Sequence, residues 1–201
     1  MPGPLARLGH PVEAPQFESR PQARGSGDAI ARAASSFVGE GLLVVDGERF
    51  RMDCSGLVEA ALAQADVPHS GSSAMLHEEA ASLGVLHHRR LPRPGDVAFF
   101  DNTYDRNGNG LLDDPLSHTA VVERVFPNGT VEMVHVGSKG VSRLRMNLRR
   151  PSDRLDEAGE TLNDFSRQKK AGDPATTLYL AGELWVAFAS FYGSEALARA
   201  E

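Results

Sequence analysis

This chain of 201 residues carries one cysteine, Cys54, and one tryptophan. A single cysteine closes no internal disulfide, so neither a stapled framework nor a redox compartment can be read from it. No apolar stretch approaches the ~20 residues of a membrane-spanning helix, and the N-terminal residues hold no apolar signal core. Basic runs are missing as well: Arg89-Arg90 and Arg149-Arg150 are only pairs. With 27 acidic against 21 basic residues, a net charge of −6 and a pI near 5.6, the composition gives no sign of nucleic-acid binding. Hydrophobic residues at 41% and charged residues at 24% exclude disorder throughout, and the length suits one domain with its own core.

Pro2, Pro4, Pro11, Pro15 and Pro21 crowd the first residues, a composition that buries little surface. Residues 1–27 are therefore expected as a flexible arm and 28–201 as the domain. Asp28 reads as a helix cap ahead of Ile30, Ala33, Ala34 and Phe37 at helical spacing. Cys54, Leu57, Val58, Ala61, Leu62 and Ala65 follow the pattern of one buried helix face, with Asp53 as cap and Pro68 beyond the end. A third helix is predicted over 74–83. After the turn Arg93-Pro94-Gly95-Asp96 the period changes to two. Strands are predicted at 97–100, 117–125, 131–136, 141–148 and 183–191, the second and third forming a hairpin about Asn128-Gly129. Helices first and strands afterwards predict an α+β fold, N-terminal helices followed by an antiparallel sheet. Residues 151–176 are polar and weakly periodic, a long surface excursion between the last two strands.

Cysteine attacks as thiolate, and a helix N-terminus lowers the thiol from its usual ~8.5. Cys54 stands one residue past its expected cap, so the dipole should favour its ionised form. Gly56 is expected to leave space for a substrate to approach the sulfur. Taken alone, Cys54 reads first as a buried structural thiol, and His118 as a satisfied strand histidine.

The surrounding residues add a resemblance. Asp53-Cys54-Ser55-Gly56-Leu57-Val58 resembles the nucleophile motif of the NlpC-type cell-wall peptidases, a papain-like family related to CHAP-type amidases. Pro94-Gly95-Asp96-Val97-Ala98-Phe99-Phe100 is similar to that family's strand after the helical half. Ser117-His118-Thr119-Ala120-Val121-Val122 resembles its histidine strand, and Val134-His135-Val136 its third polar residue. The four motifs keep the family's order over roughly residues 30 to 145. The resemblance implies a papain-like fold and cleavage of amide bonds in peptidoglycan stem peptides through a thioester. It implies Cys54 as nucleophile, His118 as general base and then acid, and His135 as the group that orients His118. The backbone N–H of Cys54 would donate to the oxyanion. One departure stands out: members commonly carry a tyrosine shortly before the cysteine, and none lies between Asp28 and Asp53.

The hairpin poses a geometric condition. A two-residue turn at Asn128-Gly129 sets His135 opposite Val122, four residues along from His118, or roughly 13 Å at ~3.3 Å per residue. A bulge or a different turn must close that gap if the imidazoles are to meet.

A second motif is Asp105-Arg106-Asn107-Gly108-Asn109-Gly110-Leu111-Leu112-Asp113-Asp114, within a predicted insertion at 101–116. Asp105, Asn107, Asn109 and Asp113 occupy loop positions 1, 3, 5 and 9 of an EF-hand-type calcium loop, with glycine at 6 and the Leu111 carbonyl at 7. Position 12, usually glutamate, is Leu116, which is closer to dockerin-like variants, with Asp113 or Asp114 completing the shell. Structural Ca²⁺ is the expected cofactor; a solvated Asn/Gly/Asp turn is the plain alternative. His10, His69, His77, His87 and His88 lack the spacing of a zinc set and are expected at the surface.

The expected partner is thus a peptidoglycan peptide or another amide substrate, met in a secreted or periplasmic location. No nucleic acid or membrane span is expected, and oligomeric state is not readable. The same triad can also serve a protein deamidase, an acyltransferase or an antibacterial toxin amidase. A non-catalytic, calcium-dependent binding module is the reading from another class.

Overall fold

The Ser26 hydroxyl opens the first helix, α1 (Gly27–Ser36), by accepting the Ala29 N–H at 3.2 Å. The cap thus lies two residues before Asp28, which sits in the first turn, where its charge suits the dipole. Gly27 packs so tightly that a Cβ there would meet the Pro94 carbonyl oxygen at 2.3 Å. The computed structural model describes residues 25–193, so 25–27 of the expected arm belong to the folded domain. The rest of that arm, 1–24, and residues 194–201 lie outside the described residues.

Next comes a small hairpin, β1 (Leu43–Val45) and β2 (Glu48–Phe50), turning through Asp46 and Gly47 at positive φ. Sequence periodicity misses it because three-residue strands with exposed charged positions show no alternation. Helix α2 (Cys54–Gln64) follows as expected: Asp53 Oδ1 accepts the Gly56 N–H at 2.7 Å and the Ser55 hydroxyl at 3.0 Å. The third helix, α3 (Ser73–Ser82), is capped by Ser72. Then come β3 (Leu86–His87), β4 (Val97–Phe100), β5 (His118–Val125), β6 (Val131–Gly137), β7 (Gly140–Met146), α4 (Ala181–Leu184) and β8 (Trp185–Ala189).

These form an α+β fold of four helices and eight antiparallel strands among the described residues. Six strands make the main sheet, in the order β3-β8-β4-β5-β6-β7. The last predicted strand is shortened at its start. Glu183 accepts the Tyr179 and Leu180 N–H groups at 3.1 and 3.0 Å, winding 181–184 into α4 instead. One face of the sheet packs on α1 and α2, where Ile30, Phe37, Leu57, Leu62, Val121 and Phe191 are buried together. The other face buries Phe100, Ala120, Met133, Met146 and Phe188 against α4.

The 151–176 excursion is tied down rather than loose. Asn163, with no exposed surface, accepts the Asn147 and Gly182 N–H groups at 2.8 and 3.1 Å. Its amide donates to the Arg150 and Asp153 carbonyls at 2.8 and 2.7 Å. Four bonds from one side chain set this segment beside β7 and α4. No helix among the described residues is long and apolar enough to cross a membrane.

Gly56 does not open a path to the thiol. A Cβ there would lie 2.0 Å from the Arg51 carbonyl oxygen, so the glycine serves the close approach of helix and preceding loop. Replacing Gly56 by alanine should therefore destabilise the fold by about 1–3 kcal/mol, read as a lower urea midpoint at unchanged slope; an unshifted midpoint would contradict this packing.

Candidate active site

Three elements converge at one end of the main sheet: the N-terminus of α2, the start of β5 and the end of β6. The hairpin reaches its register by two corrections to a two-residue turn. Val125 pairs with Val131, leaving residues 126–130 as the loop, where the Phe126 N–H donates to the Thr130 carbonyl at 2.8 Å. A bulge at Glu123 then moves the pairing by one more residue, to Val122↔Met133 and Val121↔Val134. Continuing that register, His135 stands across from Ala120 instead of Val122, two positions from His118. The imidazoles meet: His118 Nε2 and His135 Nδ1 are 2.9 Å apart.

The bulge is held from both sides. The Glu123 carboxylate accepts from the Ser35 hydroxyl of α1 at 2.8 Å and from Arg143 of β7 at 2.6 and 2.8 Å, and Arg143 keeps it below the usual carboxylate range. On the other side of the register shift, Arg124 and Arg145 clasp the buried Glu132.

The pairing of β5 with β6 ends at Val121, and beyond it the Thr119 N–H is turned toward the Cys54 sulfur, where it favours the thiolate. The thiol therefore lies against the residue that follows His118. Burial pushes the Cys54 thiol up; the Asp53 carboxylate adds to this, while the N–H groups of Thr119, Ser55 and Cys54 oppose it. The expectation that the helix end ionises the thiol is thereby corrected: desolvation outweighs the dipole. Burial also lowers His118 to about 3 and His135 to about 4. At neutral pH the resting group is a thiol beside two uncharged imidazoles.

That charge state restricts the tautomers. When His118 donates from Nε2 to His135 Nδ1, His118 Nδ1 is left as a free base and His135 Nε2–H faces the Ser142 oxygen at 3.4 Å. Ser142 pairs with His135 across β6 and β7. The reverse tautomer would put a proton on His118 Nδ1 and remove the base.

Cys54, His118 and His135 line one cavity of about 1060 Å³ with Tyr104 and Arg167. The sequence reading missed both of the last two. Burial raises the Tyr104 phenol, and a Cys54 thiolate would add to it, so a tyrosine does share the cavity with the sulfur, from after β4 rather than before the cysteine. Its place beside the calcium-type loop was the only available signal. Arg167 lies in the weakly periodic excursion, where nothing in the sequence marks it as buried.

The loop after β4 is wound by its own side chains. Asp105 accepts the Gly108 and Gly110 N–H groups at 2.7 and 3.0 Å, Asn107 that of Asn109, and Asn109 that of Leu111. Asp113 accepts from the Asn107 and Asn109 amides. Asp114 is 1% exposed; Oδ1 faces the Asn107 N–H at 3.3 Å, while Oδ2 is buried without a partner. In this arrangement the Asp105, Asp113 and Asp114 carboxylates do not converge as a metal-ligand group. The orphaned oxygen and the hard-oxygen donor set nevertheless fit a Ca²⁺ ion.

The remaining described histidines are more structural than expected. His69 Nδ1 pairs with Glu79 at 2.8 Å, and His87 Nε2 with the buried Asp96 at 3.2 Å. His77 packs edge-on to Phe99, and only His88 is exposed. His10 lies outside the described residues. No family model matches this chain, and no curated protein or solved structure does.

Because Cys54 is the only thiol, the mass of the intact chain reports its alkylation alone. The rate with iodoacetamide should rise with pH through a midpoint above the ~8.5 of a free thiol. A midpoint below pH 7 would show instead a preformed thiolate and imidazolium.

Proposed function

We propose that this chain is a papain-like cysteine hydrolase that cleaves an amide bond, with peptidoglycan stem peptides as its substrate class. One observation carries the reading: the only thiol of the chain, at a helix N-terminus, shares a cavity with the buried His118 and the half-buried His135, whose imidazoles are hydrogen-bonded to each other. The four motifs that resemble the NlpC-type peptidases support the choice of substrate, and a secreted or periplasmic location follows from that choice.

In this reading His118 Nδ1 withdraws the Cys54 proton as the sulfur attacks the amide carbonyl carbon. The carbonyl oxygen becomes an oxyanion and accepts the Cys54 backbone N–H. His118 then gives its proton to the leaving nitrogen, the C–N bond breaks, and a thioester remains on Cys54. Water attacks the thioester with His118 again as base, which releases the acid and restores the thiol. His135 holds His118 in the productive tautomer throughout. Burial keeps both rings uncharged at neutral pH, so the base is available before the proton arrives.

The Cys54→Ala variant is the direct test. It should lose at least ~10³-fold in hydrolysis of purified peptidoglycan and keep the melting temperature of the parent. Mass spectrometry of the digest should show a new stem-peptide fragment. Release of ammonia from a protein glutamine without such a fragment would move the same triad to deamidation, and undiminished hydrolysis by Cys54→Ala would remove the cysteine mechanism.

Calcium enters this proposal as a structural ion held by Asp105, Asn107, Asn109, the Leu111 carbonyl, Asp113 and Asp114. The loop feeds into the catalytic strand: the Asp114 N–H donates to Asn102 at 2.8 Å and the Leu116 N–H to Asp101 at 2.7 Å, just before His118. A chelator should lower the melting temperature by about 5 °C or more and reduce activity, with Ca²⁺ restoring both. An unchanged melting temperature would refute the ion's role.

A further inference from the structure

We infer that the cavity beside Cys54 is built to hold a carboxylate of the substrate, with Arg167 as its anchor. Arg167 is only 5% exposed. Its Nη1 donates to the Asn102 carbonyl at 2.7 Å. Nε is buried without a partner and Nη2 has none among the described residues; the Asp173 carboxylate is near enough to feel the guanidinium but accepts from the Lys170 N–H and the Tyr179 hydroxyl and forms no ion pair with it. Nε–H and Nη2–H form the side-on fork that matches the two oxygens of a carboxylate. A buried cation with its fork empty calls for an anion.

The surroundings point the same way. Lys139, Lys169 and Lys170 line the cavity as well. Lys169 is held over the Phe165 and Tyr179 rings, with Nζ 5.6 and 5.1 Å from their centroids. The fifth cation, Arg143, is taken by Glu123. Two carboxylates line the same space, and both have other partners. Asp53 caps α2, and Asp164 Oδ2 accepts the Arg145 N–H at 2.8 Å. Cations thus gather at this cavity in a chain whose net charge is −6. The substrate class that fits is an amide flanked by a free carboxylate, an acidic peptide. That it is an amide rests on the cysteine-hydrolase reading; that the cavity takes an anion does not.

Alkylation of Cys54 by iodoacetate and by iodoacetamide, compared at one pH, separates the two. In the full chain the iodoacetate-to-iodoacetamide rate ratio should exceed that of a free cysteine peptide by about tenfold and shrink with added salt. Arg167→Gln should bring the ratio back to the free-thiol value, while Arg167→Lys should retain most of it. A parent ratio at or below the free-thiol value overturns the inference, as does a folded Arg167→Gln chain with the parent's ratio. Should Arg167→Gln fail to fold, the Lys169→Gln/Lys170→Gln variant decides: a reduced ratio supports the anion site and an unaltered one overturns it. Peptidoglycan with its carboxylates amidated should be cut about tenfold more slowly than native material. Iodoacetate preference without any wall cleavage would sink the hydrolase reading alone. Cleavage without that preference would sink the carboxylate site alone.

Discussion

The contact between His118 Nε2 and His135 Nδ1 is the constraint on which the candidate site depends. It links two strands whose simplest hairpin would hold the rings roughly 13 Å apart at ~3.3 Å per residue. Two one-residue shifts bring them together, one from the loop and one from the bulge at Glu123. The bulge is fixed by charge-assisted bonds from Arg143 and a hydroxyl from α1, so helix, bulge and imidazole pair form one mechanical unit. The open ladder beyond Val121 also leaves the Thr119 N–H for the thiol.

Two opposing effects act on that thiol. A helix N-terminus favours an anion by about 0.3–1 kcal/mol, or up to ~2 in a partly buried setting. Full burial can move a titrating group by as much as about 3–5 pH units, each close to 1.4 kcal/mol. Desolvation therefore wins at Cys54, and it acts on His118 and His135 in the same sense, toward the uncharged form. In the proposed hydrolase the proton would then move during attack rather than before it, in the general-base form of the chemistry.

The two segments that interrupt the sheet pattern build the walls of the cavity. The loop after β4 brings Tyr104 toward the sulfur, and the excursion after β7 brings Arg167 and its neighbouring lysines. They touch each other where Arg167 donates to the Asn102 carbonyl, and Asn102 in turn accepts the Asp114 N–H. A change in the loop's side-chain oxygens can thereby reach the cavity through one carbonyl and one amide.

The sequence by itself determined the α+β order, the Asp53-capped helix that carries Cys54, the turn at Pro94-Gly95 and the strands bearing His118 and His135. Each rests on local chemistry: caps, periodicity and turn residues act within a few positions of themselves. It could not decide whether the histidines met, because a bulge is fixed by Ser35 and Arg143, far away in the chain. Nor could it show that Gly56 faces the Arg51 carbonyl, that Asp114 and Arg167 are buried with polar atoms unpartnered, or that the thiol is held neutral. Burial, register and desolvation depend on what the rest of the chain brings alongside, and only the tertiary structure supplies that.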